Sequence, residues 1–228
     1  TARMGPSAVA AVWVTFLAGW VVLRGAVLRG SDVTSGRDLL RRIVPRPWAV
    51  ALWCAVAVPS LVQLVAAPGL LGWGERANPE VAAGQWWRLA TAVVLQDGGW
   101  AGTAFNLSVL AVTLVLVGAV WRALPTVLVF AVGGVLANLL TVLTSGPAGA
   151  GNSMATLCLV AAAAVTTVLS GEWSWGTALP VLLIVAAAAT LLVVHDEHGP
   201  AVVLGLVTGL LLDRSGVRVG QDASVVPS

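Results

Sequence analysis

Ser153, His198 and Asn106 are the residues whose types and spacing could do covalent chemistry. A serine hydroxyl is a poor nucleophile until a base takes its proton, and histidine is the side chain suited to that near neutrality. The chain holds two histidines. His195 lies on the loop side of the last apolar run, whereas His198 shares a helical face with Ala201, Gly205, Thr208 and Gly209. Small residues on such a face let two helices approach closely, which makes His198 the better base. Gly151 and the Gly146-Pro147-Ala148-Gly149 stretch form a permissive loop running into a helix that Ser153 opens. Free backbone N–H groups at a helix start can stabilise an oxyanion, with the Asn106 side-chain amide as a second donor. Each residue also has a plainer role: Asn106 as a link between helices, Ser153 as a helix N-cap, His198 as a solvated loop residue beside Asp196 and Glu197.

The elements that must hold these groups are apolar. Of 228 residues 58% are hydrophobic and 10% charged, which excludes an ordinary soluble domain. A bilayer crossing takes roughly 20 apolar residues. Seven apolar runs, at 8–23, 48–67, 101–120, 124–143, 153–169, 177–194 and 200–212, read as helices, because they are apolar on every side instead of alternating as barrel strands do. Little chain remains for a water-soluble catalytic domain, so any chemistry belongs to the spans and their short connections. The first run is followed by Arg24 and Arg29 without a small-residue cleavage site, and reads as a retained span. Cys54 and Cys158 fall inside apolar runs and imply no disulfide framework. Neither a metal nor a cofactor is implied, and nucleic acid is not an expected partner.

All the basic residues are arginines. With the segment after the first run inside, that side collects Arg24, Arg29, Arg37, Arg41, Arg42, Arg46, Arg122, Arg214 and Arg218, and the outer side keeps Arg3, Arg76 and Arg88. The bias places the amino terminus outside. The third, fifth and seventh spans then share an orientation, and Asn106, Ser153 and His198 share one depth near the outer face. Trp48, Trp86, Trp87, Trp100, Trp121, Trp173 and Trp175 fall near span ends as interfacial anchors. The long loop at 68–99, with Trp73, Val81, Trp86 and Trp87, suits a segment dipping into the outer leaflet with its backbone covered by protein. The tail at 219–228 is polar enough to be disordered.

Four stretches resemble the rhomboid intramembrane serine proteases: Gly84-Gln85-Trp86-Trp87-Arg88-Leu89; Gly98-Gly99-Trp100 through Phe105-Asn106-Leu107; Gly151-Asn152-Ser153; and His198 seven residues before Gly205. The resemblance covers most of the chain from Trp48 onward. It implies an all-α polytopic membrane protein with a rhomboid-like bundle of about seven transmembrane helices: an extra helix and cytoplasmic basic linker at 1–47, a six-helix core at 48–214 and a cytoplasmic tail at 215–228. It implies a Ser153–His198 dyad with no third acid, oxyanion donors from Asn106 and the Ser153 and Gly151 region, a structural loop at Trp87 and Arg88, and helix packing at Ala201, Gly205 and Gly209. The implied substrates are single-pass membrane proteins cut near the outer face. The chain departs from the family at Gly102 and Asp97, where histidines are usual, at Met154, where a glycine is usual, and at Trp121, where a glutamate is common. One oxyanion donor is thus missing, which typically costs about 10²–10³ in rate.

Two further readings stand beside the protease. A catalytically silent rhomboid-like protein would bind transmembrane clients without cutting them, as Gly102 and Met154 suggest. A transporter component would use span polar groups to line a solute path, although no acidic residue lies within a span. Asp196 and Glu197 either favour the charged form of His198 or solvate the loop. Absence of Lys and Tyr beside abundant Ala, Val, Gly and Arg fits a GC-rich bacterial genome and a plasma membrane.

Overall fold

A computed structural model describes residues 4–28, 44–171 and 174–215. The calls that rest on Arg3, Arg29, Arg37, Arg41, Arg42, Trp173, Arg218 and the tail at 219–228 lie outside the described residues. The described chain is helical, with an isolated bridge between Arg76 and Gly149. In chain order the helices are α1 (Pro6–Leu28), α2 (Pro47–Val65), α3 (Gly69–Gly74), α4 (Asn78–Ala82), α5 (Arg88–Thr91), α6 (Gly99–Val120), α7 (Ala123–Leu143), α8 (Ser153–Leu169), α9 (Trp175–Val193) and α10 (His198–Arg214).

Among these, α1, α2, α6, α7 and α9 are long and apolar enough to cross a membrane. The protein is a polytopic helical membrane protein. Exposed leucines and valines on these helices, such as Leu17, Val58, Leu128 and Leu183, are what a lipid-facing surface requires. The apolar runs at 153–169 and 200–212 also form helices, α8 and α10, each of 17 residues.

Helix α8 is the central pillar. Its residues from Met154 to Val168 are all buried, and α1, α6, α7, α9 and α10 surround it. Small residues permit this crowding. A Cβ on Gly205 of α10 would lie 2.4 Å from the Cys158 carbonyl oxygen, and one on Gly209 would lie 2.7 Å from that of Ala162. Ala201 is fully buried with Ala137 and Met154. Ala201, Gly205 and Gly209 thus lie where α10 meets α7 and α8. Met154 packs with Ala137 and Ala201 between α7 and α10, so its bulk is accommodated there.

The loop at 68–99 is covered in part: Val81, Leu89, Ala92, Val93, Leu95 and Gln96 are buried, while Trp73, Trp86 and Trp87 are exposed. Arg88 is its buried tie: Nη1 donates to the carbonyls of Gly72 at 2.9 Å and Glu75 at 3.0 Å, and Nε to Gln85 Oε1 at 2.8 Å. Trp87 is exposed and stacks on Trp73. Trp121 departs from its expected role as an interfacial anchor. It is 2% exposed and its indole N–H donates to Thr166 Oγ1 on α8 at 3.2 Å, so it serves the bundle interior.

Candidate active site

Two helix ends deliver the reacting groups by the same device. Helix α9 finishes with His195 in the left-handed conformation (φ 55°), where the N–H of His195 reaches the Leu192 carbonyl and that of Asp196 reaches Leu191. These bonds satisfy carbonyls that the helix end would leave open and turn the chain sharply. Asp196, Glu197 and the start of α10 at His198 follow at once. Ser145 (φ 58°) ends α7 in the same way, with Gly146 N–H bonded to Thr141 and Ser145 N–H to Val142. The loop from Gly146 then runs to Ser153 at the first position of α8.

Ser153 Oγ lies 2.9 Å from His198 Nε2. Residues 45 positions apart are thus within hydrogen-bond reach, on a histidine only 7% exposed. The other ring nitrogen, Nδ1, lies 2.6 Å from Asp196 Oδ1, which also accepts the His198 backbone N–H at 3.0 Å. A resemblance that implies no third acid therefore meets a carboxylate in the third-acid position. Asp196 makes Nδ1 the protonated nitrogen of the neutral imidazole and leaves Nε2 free to accept the serine proton. Burial acts to raise the Asp196 carboxyl, but its hydrogen bonds to His198 and the imidazole charge outweigh that and hold it below the usual carboxylate range.

Asn106 reaches the same spot from α6. A Cβ on Gly151 would lie 3.1 Å from Asn106 Nδ2 and 3.7 Å from Ser153 Oγ, so the missing side chain lets amide and nucleophile face one another. Gly151 differs from its expected part as an oxyanion donor: its N–H is given to the Ala92 carbonyl at 2.8 Å. Close approach is its contribution. Beside Ser153 Oγ stand the Asn106 amide, one of whose N–H groups is given to Gln96 Oε1, and the Ser153 N–H, one of the first-turn groups with no carbonyl a turn earlier inside the helix.

Sequence reasoning missed the residues that hold this arrangement. Gln96, 1% exposed, accepts from Asn106 Nδ2 at 2.7 Å through Oε1 and donates from Nε2 to Asn152 Oδ1 at 2.8 Å. Its backbone N–H and carbonyl are both taken by the Gln63 side chain of α2. Arg76, counted above as an outer-loop charge, is 1% exposed. It pairs with Glu197 and donates to Asn138 Oδ1 at 2.7 Å and to the Pro147 carbonyl at 2.8 Å. The fixed Asn138 amide donates in turn to the Leu89 carbonyl. Nothing in the local pattern marks Gln96 or Arg76, since their partners lie from 10 to 121 residues away. The only signal is that both are costly groups beside apolar runs.

Ser153, His198 and Asn106 line a cavity of about 280 Å³, together with Met4, Val12, Arg76, Asp97, Gly102, Phe105 and Glu197. That is room for several waters, each taking about 30 Å³ in the liquid. Gly102 faces open space, with no atom within 4 Å of where a Cβ would stand. Asp97 is tied to Ala150 in both directions, its N–H donating to the Ala150 carbonyl and its carboxylate accepting the Ala150 N–H. Burial pushes its carboxyl above the usual range. No cluster of three or more metal-ligating side chains occurs among the described residues. Compared with models of known protein families, with characterised proteins and with solved structures, the chain matches none.

Proposed function

We propose that this chain is an intramembrane serine endopeptidase of rhomboid type, with seven spans, that cuts transmembrane protein substrates near the outer face of the plasma membrane. The observation that carries the reading is the 2.9 Å approach of Ser153 Oγ to His198 Nε2 at the joined ends of two apolar helices. In this mechanism Nε2 takes the Ser153 proton as the oxygen attacks the scissile carbonyl, and the imidazolium then gives that proton to the leaving amine. The Asn106 amide and the Ser153 N–H stabilise the tetrahedral oxyanion. Water entering the cavity hydrolyses the acyl-enzyme, with His198 again as base. The open space at Gly102 leaves one donor fewer than the family usually has, which makes the expected turnover slow.

The test is cleavage of a single-pass reporter in liposomes, read beside labelling of the chain by a fluorophosphonate. Both are expected, and both are expected to vanish in Ser153→Ala. Cleavage that persists at the wild-type rate in that variant overturns the proposal. Gly102 also favours a second reading, a silent client-binding protein, and reporter binding with neither cleavage nor labelling in the wild type would select it.

A further inference from the structure

The two ends of the bundle differ in charge. Helices α1, α6 and α10 begin beside the cavity that Ser153 and His198 line, where Asp97 and Glu197 also stand, so Arg24, Arg122 and Arg214 come where those helices finish. Arg46 joins them, because α2 runs the other way and brings Ser60 and Gln63, near its own end, to Val94 and Gln96. Asp213 is the only acidic residue at that far end among the described residues. There α2 and α6 leave between them an apolar crevice of about 150 Å³. The helices are antiparallel, and Arg46 Cγ lies 3.5 Å from where a Cβ on Gly118 would stand. Counting from that contact sets Ala49 opposite Val115, Val50 opposite Leu114 and Trp53 opposite Ala111, and these residues with Pro45 are the lining. The gap has a physical cause. Trp53 props the helices apart at one end, its indole N–H donating to the Leu107 carbonyl at 2.9 Å, and the Trp48 ring meets α6 at Gly118 at the other. The methyl groups of Ala49 and Ala111 are too short to close the space between these props.

We propose that this crevice is the site of one anionic phospholipid, with an acyl chain lying between α2 and α6 and the headgroup phosphate on the Arg46 guanidinium. The assignment stands independently of the protease reading, since it needs only a protein that crosses a bilayer. Its apolar part is a slot about 10 Å long, the rise of the helix from Arg46 to Trp53, and Val50, 47% exposed, opens it sideways to surrounding lipid. Its polar part is a single cation. Arg46 is half-buried, with its stem packed on α6, and among the described residues no carboxylate pairs with it. An arginine held in this way keeps its methylenes on apolar surface and its head at the edge of the bilayer. The planar fork of the guanidinium matches two phosphate oxygens, and that match favours a phosphate with no cation of its own. A zwitterionic headgroup carries an ammonium that competes with Arg46 for the same oxygens. A basic side chain at the mouth of an apolar slot between helices therefore selects lipid by headgroup charge while the slot holds the chain.

The test is photocrosslinking of the full chain in phosphatidylcholine liposomes. One sample contains a trace of phosphatidylglycerol with a diazirine in the part of the acyl chain next to the glycerol, and the other contains phosphatidylcholine labelled in the same place. After irradiation and digestion, adducts are expected on Ala49, Val50, Ala111 and Val115. Their yield should be roughly fivefold higher from phosphatidylglycerol, the effect of one basic residue on an anionic lipid at the membrane surface. Arg46→Gln, a mild change at a half-exposed position, should bring the two lipids to the same yield. Arg24→Gln removes a charge at the same end of the bundle on α1 and should leave the preference as it was. Ala111→Phe fills the slot and should remove these adducts from both lipids. Excess unlabelled phosphatidylglycerol should compete, and inorganic phosphate should not. Equal yields from the two lipids in the wild type, or no adducts in the crevice, overturn the proposal. So does a preference that survives Arg46→Gln, one that Arg24→Gln abolishes equally, or one that inorganic phosphate alone removes.

Discussion

The imidazole of His198 has a partner on each ring nitrogen, and each partner decides what the other can do. The Asp196 carboxylate at 2.6 Å fixes the proton on Nδ1, so Nε2 can accept from Ser153. Replacing that carboxylate by an amide of the same shape offers Nδ1 an N–H and favours the wrong tautomer. In a soluble Ser-His-Asp protease that exchange lowers kcat about 10⁴-fold, and Asp196→Asn is expected to lose about 10³–10⁴-fold in reporter cleavage. Stability follows the same group with a known sign. A carboxyl held below its ordinary value stabilises the fold above pH ~4 and loses that contribution as pH falls through its folded value. The acid-side fall in thermal stability should accordingly be shallower in Asp196→Asn.

At the scale of elements, the site depends on how tightly α10 lies on α8. His198 and Gly205 share α10 and Ser153 opens α8, so the distance between the two reacting atoms is set by the helix contact seven residues further on. A side chain at Gly205 meets backbone at 2.4 Å, which cannot move as the tip of a flexible chain can. Gly205→Val is expected to lower stability in detergent by at least the ~1–3 kcal/mol typical of overpacking. Fluorophosphonate labelling should fall even where the variant still folds. The helix ends matter as much as their lengths. Ser145 and His195 take the left-handed conformation that lets α7 and α9 stop and turn, and those turns deliver the two loops that carry Pro147, Gly151, Asp196 and Glu197.

Across the whole molecule, Arg76 ties together three segments that the sequence keeps far apart. It joins the loop before α4 to Asn138 on α7, to the Pro147 carbonyl before α8 and to Glu197 before α10. Arg76→Met leaves Glu197 and the Asn138 oxygen without their cation. The expected cost is about 2–3 kcal/mol, below the ~3–5 of a fully buried pair because Glu197 is 27% exposed. Adding Glu197→Gln to Arg76→Met should recover part of that loss, and a double-mutant cycle in detergent unfolding checks it. An additive result would mean that Arg76 acts through Asn138 and Pro147 alone. Gln96 plays the corresponding part on the other side of the cavity, linking α2 and α6 to the start of α8.

Much of this was legible in the chain, and for plain physical reasons. Apolar runs must be helical in lipid, so the helices appear where hydropathy puts them, and polar groups at the joined ends of apolar runs are costly enough that Ser153, His198 and Asn106 stood out unaided. The stripe of small residues on α10 likewise announced that another helix would approach it closely, though not which one. Other facts belonged to the tertiary structure, because they are properties of distances between segments. Composition cannot say that Trp121 turns inward to Thr166, that Gly151 spends its N–H on Ala92, or that Arg76 is buried beneath the site it supports. Nor can it say where α1 goes. A helix with apolar residues on all sides carries no mark of its neighbours, and only packing decided that it lies between α6 and α9, against the cavity that Ser153 and His198 line.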